Sequence, residues 1–208
     1  MTTCDLVLVG VGGQGVLTIG DLLLRAAFAA DLPASFCPTK GMAQRGGFVK
    51  AELRLGAEGV GPRIGEGGAD VVIAMERSEA LRAIGYLRPG GMFLLYDHVW
   101  EPTGVQLGVD TYPTLDEVTA EIEAEGAVCM VISPADLPEM DGTRISPNVF
   151  LLGAALGGTQ LRDLLDASSV EEVVASRWPK ASKINRHAFR AGLDAPRKRG
   201  DGENHVLG

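Results

Sequence analysis

Two glycine-bounded segments carry the residue types best able to do chemistry. The first, Gly10-Val11-Gly12-Gly13-Gln14-Gly15, follows an apolar run and precedes a helical pattern. Glycines at that spacing let backbone approach a phosphate, and a helix starting there adds unpaired N–H groups and positive potential. The second, Lys40-Gly41-Met42-Ala43-Gln44-Arg45-Gly46-Gly47, sets two cations and an amide among glycines. An arginine so placed can grip a phosphate or carboxylate through two parallel N–H bonds. Gly12, Gly13, Gln14 and Gly15, with Lys40, Gln44 and Arg45, are the candidate anion-binding residues. No complete catalytic set accompanies them. His98, His187 and His205 are dispersed, and neither a G-x-S-x-G elbow nor a G-x-x-x-x-G-K-[ST] loop occurs. Asp97-His98 follows a strand end and is the one further pair that could face a ligand. Cys4, Cys37 and Cys129 are far apart and form no C-x-x-C pair, so no metal or iron–sulfur site is expected in this chain.

A strand, a G-x-G-x-x-G turn and a helix also open dinucleotide-binding domains. Those place an acid at the end of the second strand to hold the ribose hydroxyls. Here that strand runs into Pro38-Thr39-Lys40, with Asp31 before it and Glu52 well beyond. The loop therefore admits three readings: an NAD(P) site without its ribose anchor, a site for another phosphate or anion, or a structural tight turn.

The elements that must position these residues follow from periodicity. Leu6–Val11 is a continuous apolar run, as in a strand buried on both faces. Val16, Ile19, Leu22, Leu23, Ala26 and Ala27 recur at helical spacing, predicting a helix that ends near Ala30. Ala34–Cys37 reads as a second strand. Phe48–Leu55 alternates, with Lys50, Glu52 and Arg54 on one face, which predicts a half-exposed strand near a sheet edge. Asp70–Met75 is another buried strand, followed by a helix from about Glu76 to Leu87 and a strand at Met92–Tyr96. A helix over Leu115–Glu125 and a last central strand at Ala127–Ile132 complete the pattern. Strand and helix alternating in this way predict an α/β fold, Rossmann-like and doubly wound, around a mainly parallel sheet. Loops at the carboxyl ends of such strands line the ligand crevice, so both glycine segments are expected to share one. From Ser146 the pattern is helical only. Val149–Leu156 is apolar nearly all round and needs cover, from this chain or from another subunit. The expected organisation is an α/β domain over 1–145, a helical C-terminal extension over 146–194 packed on it or on a partner, and a disordered tail over 195–208.

Composition narrows the function classes. Nineteen Lys and Arg against 27 Asp and Glu give a net charge of −8, which argues against a nucleic-acid-binding module. Asp110–Asp141 carries nine acids and no Lys or Arg: a solvated face or a docking surface for a basic partner. No secretory signal or membrane-spanning run is present, and three reduced thiols fit a cytoplasmic protein. Glycine is the unusual residue. At 28 of 208 it is about twice its ordinary share, so many close backbone approaches are expected.

Taken together, the motifs resemble the gamma-type subunit or domain of the 2-oxoacid:acceptor (ferredoxin) oxidoreductases. The resemblance runs to about Ala195. It rests on Gly10-Val11-Gly12-Gly13-Gln14-Gly15-Val16, Gly41-Met42-Ala43-Gln44-Arg45-Gly46-Gly47, Pro62-x-Ile64 with Ala69-Asp70-Val71, Pro147-Asn148-x-x-x-Leu152-Gly153-Ala154, and Asn185-x-x-Ala188-Phe189-x-x-Gly192. Five motifs in one order make the match specific. The wording around Arg45 looks like the beta subunit of the indolepyruvate branch. That branch often has histidine where this chain has Lys40, so a related aryl-2-oxoacid such as phenylpyruvate or phenylglyoxylate is equally compatible.

The resemblance implies an enzyme that oxidatively decarboxylates a 2-oxoacid to an acyl-CoA, using thiamine diphosphate and iron–sulfur clusters held by a larger partner subunit and passing electrons to ferredoxin or another acceptor. It implies no nucleic-acid or membrane partner. This chain would bind no cofactor alone and would be inactive in isolation. Gly12, Gly13, Gln14 and Gly15 would cradle a phosphate on the coenzyme A side, and Lys40, Gln44 and Arg45 would contribute to the mouth of the active site. A stand-alone NAD(P)-dependent oxidoreductase and a phosphate-ligand binding protein are the competing readings.

Overall fold

The computed structural model describes residues 2–40 and 47–195. Strand β1 (Cys4–Val11) leads through the first glycine loop into helix α1 (Val16–Ala29) and strand β2 (Ala34–Lys40). Strands β3 (Phe48–Leu55) and β4 (Ala69–Ala74), helix α2 (Arg77–Leu81) and strand β5 (Leu87–Tyr96) follow. Helices α3 (Thr103–Gln106) and α4 (Leu115–Ala124) precede strand β6 (Val128–Ile132). A two-residue hairpin, β7 (Glu139–Met140) and β8 (Thr143–Arg144), leads to helices α5 (Pro147–Gly158), α6 (Ala167–Arg177) and α7 (Ser182–Leu193).

Six strands form one sheet in the order β2-β3-β1-β4-β5-β6, with β1, β4, β5 and β6 parallel and β3 antiparallel to both neighbours. Successive side chains of β1 point to opposite faces, and both faces are covered. Leu6 and Leu8 join Ile73, Leu94 and Met130 under α1, α5, α6 and α7. Val7 and Val9 join Val72, Phe93 and Leu95 under Ala80 of α2 and Val118 and Ile122 of α4. The α/β, mainly parallel, doubly wound architecture read from the sequence is the one observed. Helix α4 starts on a capping box: Thr114 Oγ1 accepts from Glu117 N, and the Glu117 carboxylate accepts from Thr114 N. Among the described residues, no helix is long and apolar enough to cross a membrane.

Several expectations need correction. Strand β3 does lie near an edge, one strand in, between β2 and β1, but it is not half-exposed. The edges are β2, which tolerates Pro38 for that reason, and β6, which is therefore not a central strand. The alternation of β3 is real, yet its polar face is covered. The connection from Gly56 to Gly68 folds over it, burying Ile64, and Glu52 is 0% exposed. The Glu52 carboxylate accepts from Ile64 N at 3.2 Å and from Arg63 at 3.3 Å, and pairs with Lys50 Nζ at 3.5 Å. Lys50 in turn donates to the Tyr86 hydroxyl and lies over that ring. The helix expected to reach Leu87 stops at Leu81, capped at its start by the Glu76 carboxylate on Glu79 N; a 3-10 turn at Ile84–Tyr86 then begins β5 early. The all-round apolar helix α5 is covered within the chain, by α7, α1 and the sheet, so it needs no other subunit.

Helices α5 and α7 cross at unusually short range. A Cβ at Gly153 would overlap the Phe189 carbonyl oxygen, and a Cβ at Gly192 would overlap the Phe150 carbonyl oxygen. These glycines belong to the two late motifs and serve backbone contact between the helices.

Candidate functional site

The strand order decides where the two glycine segments meet. Both β1 and β2 run antiparallel to β3, so β2 delivers its carboxyl end, Lys40, to the same end of the sheet as Val11. The β2–β3 connection therefore departs and returns beside the first glycine loop, and Gly12 N donates to Gly47 O at 2.9 Å. The Lys40 side chain, Gln44 and Arg45 lie outside the described residues.

Within the first loop the roles divide. Gly12 N is used on Gly47 O and Gln14 N on Val11 O at 3.3 Å. Among the described residues, the N–H groups of Gly13, Gly15, Val16 and Leu17 have no acceptor. Gly15 caps α1 with φ near +85° and ψ near 21°, the left-handed region that favours glycine. A Cβ there would also overlap the Asn148 amide. The absence of a side-chain cap on α1 leaves its first turn open to an anion.

Gly13 and Gly15 border a cavity of about 430 Å³ at the carboxyl ends of β1, β4 and β5. Gly13, Gln14, Gly15 and Thr18 come from the loop and α1, and Met75, Tyr96 and His98 from the strand ends. Ser146, Pro147 and Asn148 come from the start of α5. Two helices thus begin on one cavity. Among the described residues its lining carries no carboxylate, and the polar side chains there are amides, hydroxyls and an imidazole. The Tyr96 phenol is pushed above its ordinary value, chiefly by burial, and stays protonated. Asp97, adjacent to His98, is turned away and binds Arg77 at 2.6 Å. Gly13, Gln14, Gly15 and His98 are brought together as the strand-end rule requires. The sequence reading missed Thr18, Met75, Tyr96 and the Ser146–Asn148 start of α5. The signal for the last is Pro147 at the first turn of an apolar helix, which marks where the helix starts but not what that start faces.

The same geometry bears on the competing cofactors. With β3 inserted, the end of β2 lies two strand spacings from β1, about 10 Å instead of about 5 Å, and Phe48 and Val49 of β3, neither of them acidic, stand beside the end of β1. A nicotinamide dinucleotide does not fit that arrangement. Nor do the residues fit an iron–sulfur cluster. Cys4, Cys37 and Cys129 sit on β1, β2 and β6, and burial pushes the Cys4 and Cys129 thiols up to about 12, so neither offers a thiolate. Among the described residues no three His, Cys, Asp or Glu side chains gather to hold a metal. The metal-bridged diphosphate of thiamine finds no carboxylate ligand in the cavity. A phosphate held by N–H donors does fit.

Comparison with known proteins places these features. Residues 5–195 match the family described as pyruvate ferredoxin/flavodoxin oxidoreductase. The chain is 36% identical to indolepyruvate oxidoreductase subunit IorB of Thermococcus kodakarensis, over 95% of this chain and 98% of that protein. Among solved structures, pyruvate oxidoreductase subunit PORC of Thermotoga maritima superposes with a TM-score of 0.68 at 19% identity, covering 93% of this chain and 96% of that one. The 2-oxoglutarate:ferredoxin oxidoreductase of Magnetococcus marinus, solved with 2-oxoglutarate, coenzyme A and succinyl-CoA bound, superposes with a TM-score of 0.63 at 19% identity. That match covers 92% of this chain and 30% of that one.

Proposed function

The chain belongs to the pyruvate ferredoxin/flavodoxin oxidoreductase family, and on that premise we propose that it is the subunit of a cytoplasmic aryl-2-oxoacid:ferredoxin oxidoreductase, acting on indolepyruvate or a close relative, that carries neither thiamine diphosphate nor iron–sulfur clusters. The name of the Thermococcus relative supports the substrate class. In the assembled enzyme thiamine diphosphate supplies the decarboxylation chemistry, and it and the clusters fall to a larger partner subunit. This chain's part is to receive coenzyme A. The observation that carries the reading is the donor-lined cavity at the ends of β1, β4 and β5. The N–H groups of Gly13, Gly15, Val16 and Leu17 bind a phosphate of coenzyme A, and Asn148 and His98 orient it. On the connection that departs beside this cavity, Lys40 and Arg45 add positive charge at its mouth and Gln44 adds an amide.

The surface supports a subunit role. The excursion between β5 and α4 exposes Leu107 and Val109 at 75% each, with Val99 and Trp100 also exposed. It is tethered at both ends to buried Glu76, which accepts from Trp100 N at 3.2 Å and from the Tyr112 hydroxyl. No Lys or Arg occurs from residue 89 to 143, so the surface is apolar and acidic and suits a partner face that is apolar and basic. The test is co-expression with the thiamine-bearing subunit. The pair should co-purify and reduce ferredoxin with a 2-oxoacid and coenzyme A, whereas this chain alone should not. The double substitution Leu107→Glu/Val109→Glu should abolish co-purification while leaving the chain's Tm within about 2 °C, since both side chains are solvent-facing. Undiminished co-purification would remove this surface from the interface.

A further inference from the structure

Two side-chain amides in the cavity have their orientation dictated by the backbone. Gln14 Oε1 lies 2.9 Å from Val11 N, and because a peptide N–H can only donate, the atom facing it is oxygen. Gln14 Nε2 therefore faces outward, 3.3 Å from His98 Nδ1. An amide nitrogen can only donate, so Nδ1 is the acceptor and neutral His98 carries its proton on Nε2. Stacking on Tyr96, with ring centroids 5.9 Å apart and planes at 21°, fixes the plane of the imidazole. The second amide is Asn148. Its Oδ1 accepts from Val149 N at 3.0 Å and from Ser146 Oγ at 2.7 Å, which leaves Nδ2 toward Gly15. Asn148 is only 9% exposed, and its Nδ2 has no acceptor among the described residues.

From this we propose that His98, held as its Nε2–H tautomer by Gln14, and Asn148, through Nδ2, donate hydrogen bonds to one anionic oxygen of the ligand, and that Gln14 is the positioning residue for His98. The ligand class is a phosphate monoester or diphosphate oxygen. Among the described residues the lining carries no formal charge, so these residues recognise an anion by fixed donors, which act with little reorganisation when the ligand arrives. The proposal deepens the coenzyme A reading and rests on it for the identity of the ligand.

Imidazole 15N spectra of the full chain at about pH 8.5 test it directly, with His98 assigned by its loss in His98→Gln. Wild type should show His98 protonated on Nε2 with bare Nδ1. Gln14→Glu can still accept from Val11 N but offers only a second acceptor to Nδ1, so it should move the proton from Nε2 to Nδ1. Titration with inorganic phosphate should shift the Nε2–H resonance in wild type and not in Gln14→Glu. A wild-type Nδ1–H tautomer, or a resonance indifferent to phosphate, overturns the proposal. In the assembled enzyme His98→Ala should raise KM for coenzyme A about tenfold with little change in KM for the 2-oxoacid, and His98→Gln, which keeps a donor, should restore most of it. Phosphate moving the His98 resonance while His98→Ala leaves the coenzyme A KM unchanged would uphold the donor assignment and remove the coenzyme A reading.

Discussion

Gly192→Val is expected to leave little or no folded chain at 25 °C. The Gly192 Cα faces the Phe150 carbonyl and Ala154 N across the α5–α7 crossing, and Gly153 faces the Phe189 carbonyl and Leu193 N in return. Backbone atoms cannot swing aside as a side chain can, so any Cβ forces the helices apart. Separation strips Phe150, Ala154, Ala188 and Phe189 of the contacts that bury them. The milder Gly192→Ala gives a signed test. An unobstructed helix gains about 1 kcal/mol from this replacement. Overpacking costs about 3 kcal/mol or more where the overlapped atoms are backbone and cannot yield, so the net loss is about 2 kcal/mol or more. Tm should therefore fall by several degrees, at about 2–4 °C per kcal/mol for a chain of this size. An unchanged or raised Tm would mean that the helices do not approach as described.

Glu52→Ala is the second large effect. The carboxylate is fully buried in the middle of a sheet and holds the Ile64 N–H and the Lys50 ammonium, whose side chain is 11% exposed. Breaking one half of a buried pair leaves the other charge uncompensated and costs about 3–5 kcal/mol. Arg63, whose side chain is 68% exposed, adds little to that figure. Glu52→Gln keeps an acceptor for Ile64 N and should cost less. Thermal unfolding with both variants checks the order: both leave Lys50 without its carboxylate, so a Tm loss for alanine no greater than for glutamine would show that the acceptor for Ile64 N is not what ties the Gly56–Gly68 segment to β3.

How far the sequence discloses these arrangements depends on the range of the interaction. Strand β1 and helix α1 were legible because an apolar run closed by glycine, and a 3.6-residue period after it, are local signals. So was the rule that strand ends line the crevice, which brought Gly13, Gln14, Gly15 and His98 together. The place of β3 was not legible. Alternation reveals that Lys50, Glu52 and Arg54 share a face, but the order β2-β3-β1 is set by hairpin pairing, and the cover over Glu52 comes from a glycine-rich segment with no period. The cover of α5 was equally non-local. Its apolar circumference demanded partners, and the small residues that let α7 supply them, Gly153 and Gly192, lie 39 positions apart. The Ser146–Asn148 rim of the cavity is a helix start whose orientation only the packing of α5 on α1 determines.

Whether the cavity at the start of α1 receives an anionic part of coenzyme A is tested with the fewest side effects by Thr18→Asp. Thr18 lies in the first turn of α1, which has no acid, and it lines the cavity. A carboxylate there is favourable to the helix, contributing about 0.3–1 kcal/mol, so the chain should be as stable as before. The same carboxylate places a negative charge among the donors that a phosphate would use. In the assembled enzyme, steady-state kinetics should show KM for coenzyme A raised about 10- to 100-fold, equivalent to about 1.4–2.7 kcal/mol. KM for the 2-oxoacid and kcat at saturating coenzyme A should stay near wild type, with Thr18→Ser as the uncharged control. An unchanged KM for coenzyme A in a fully assembled Thr18→Asp enzyme would contradict the account.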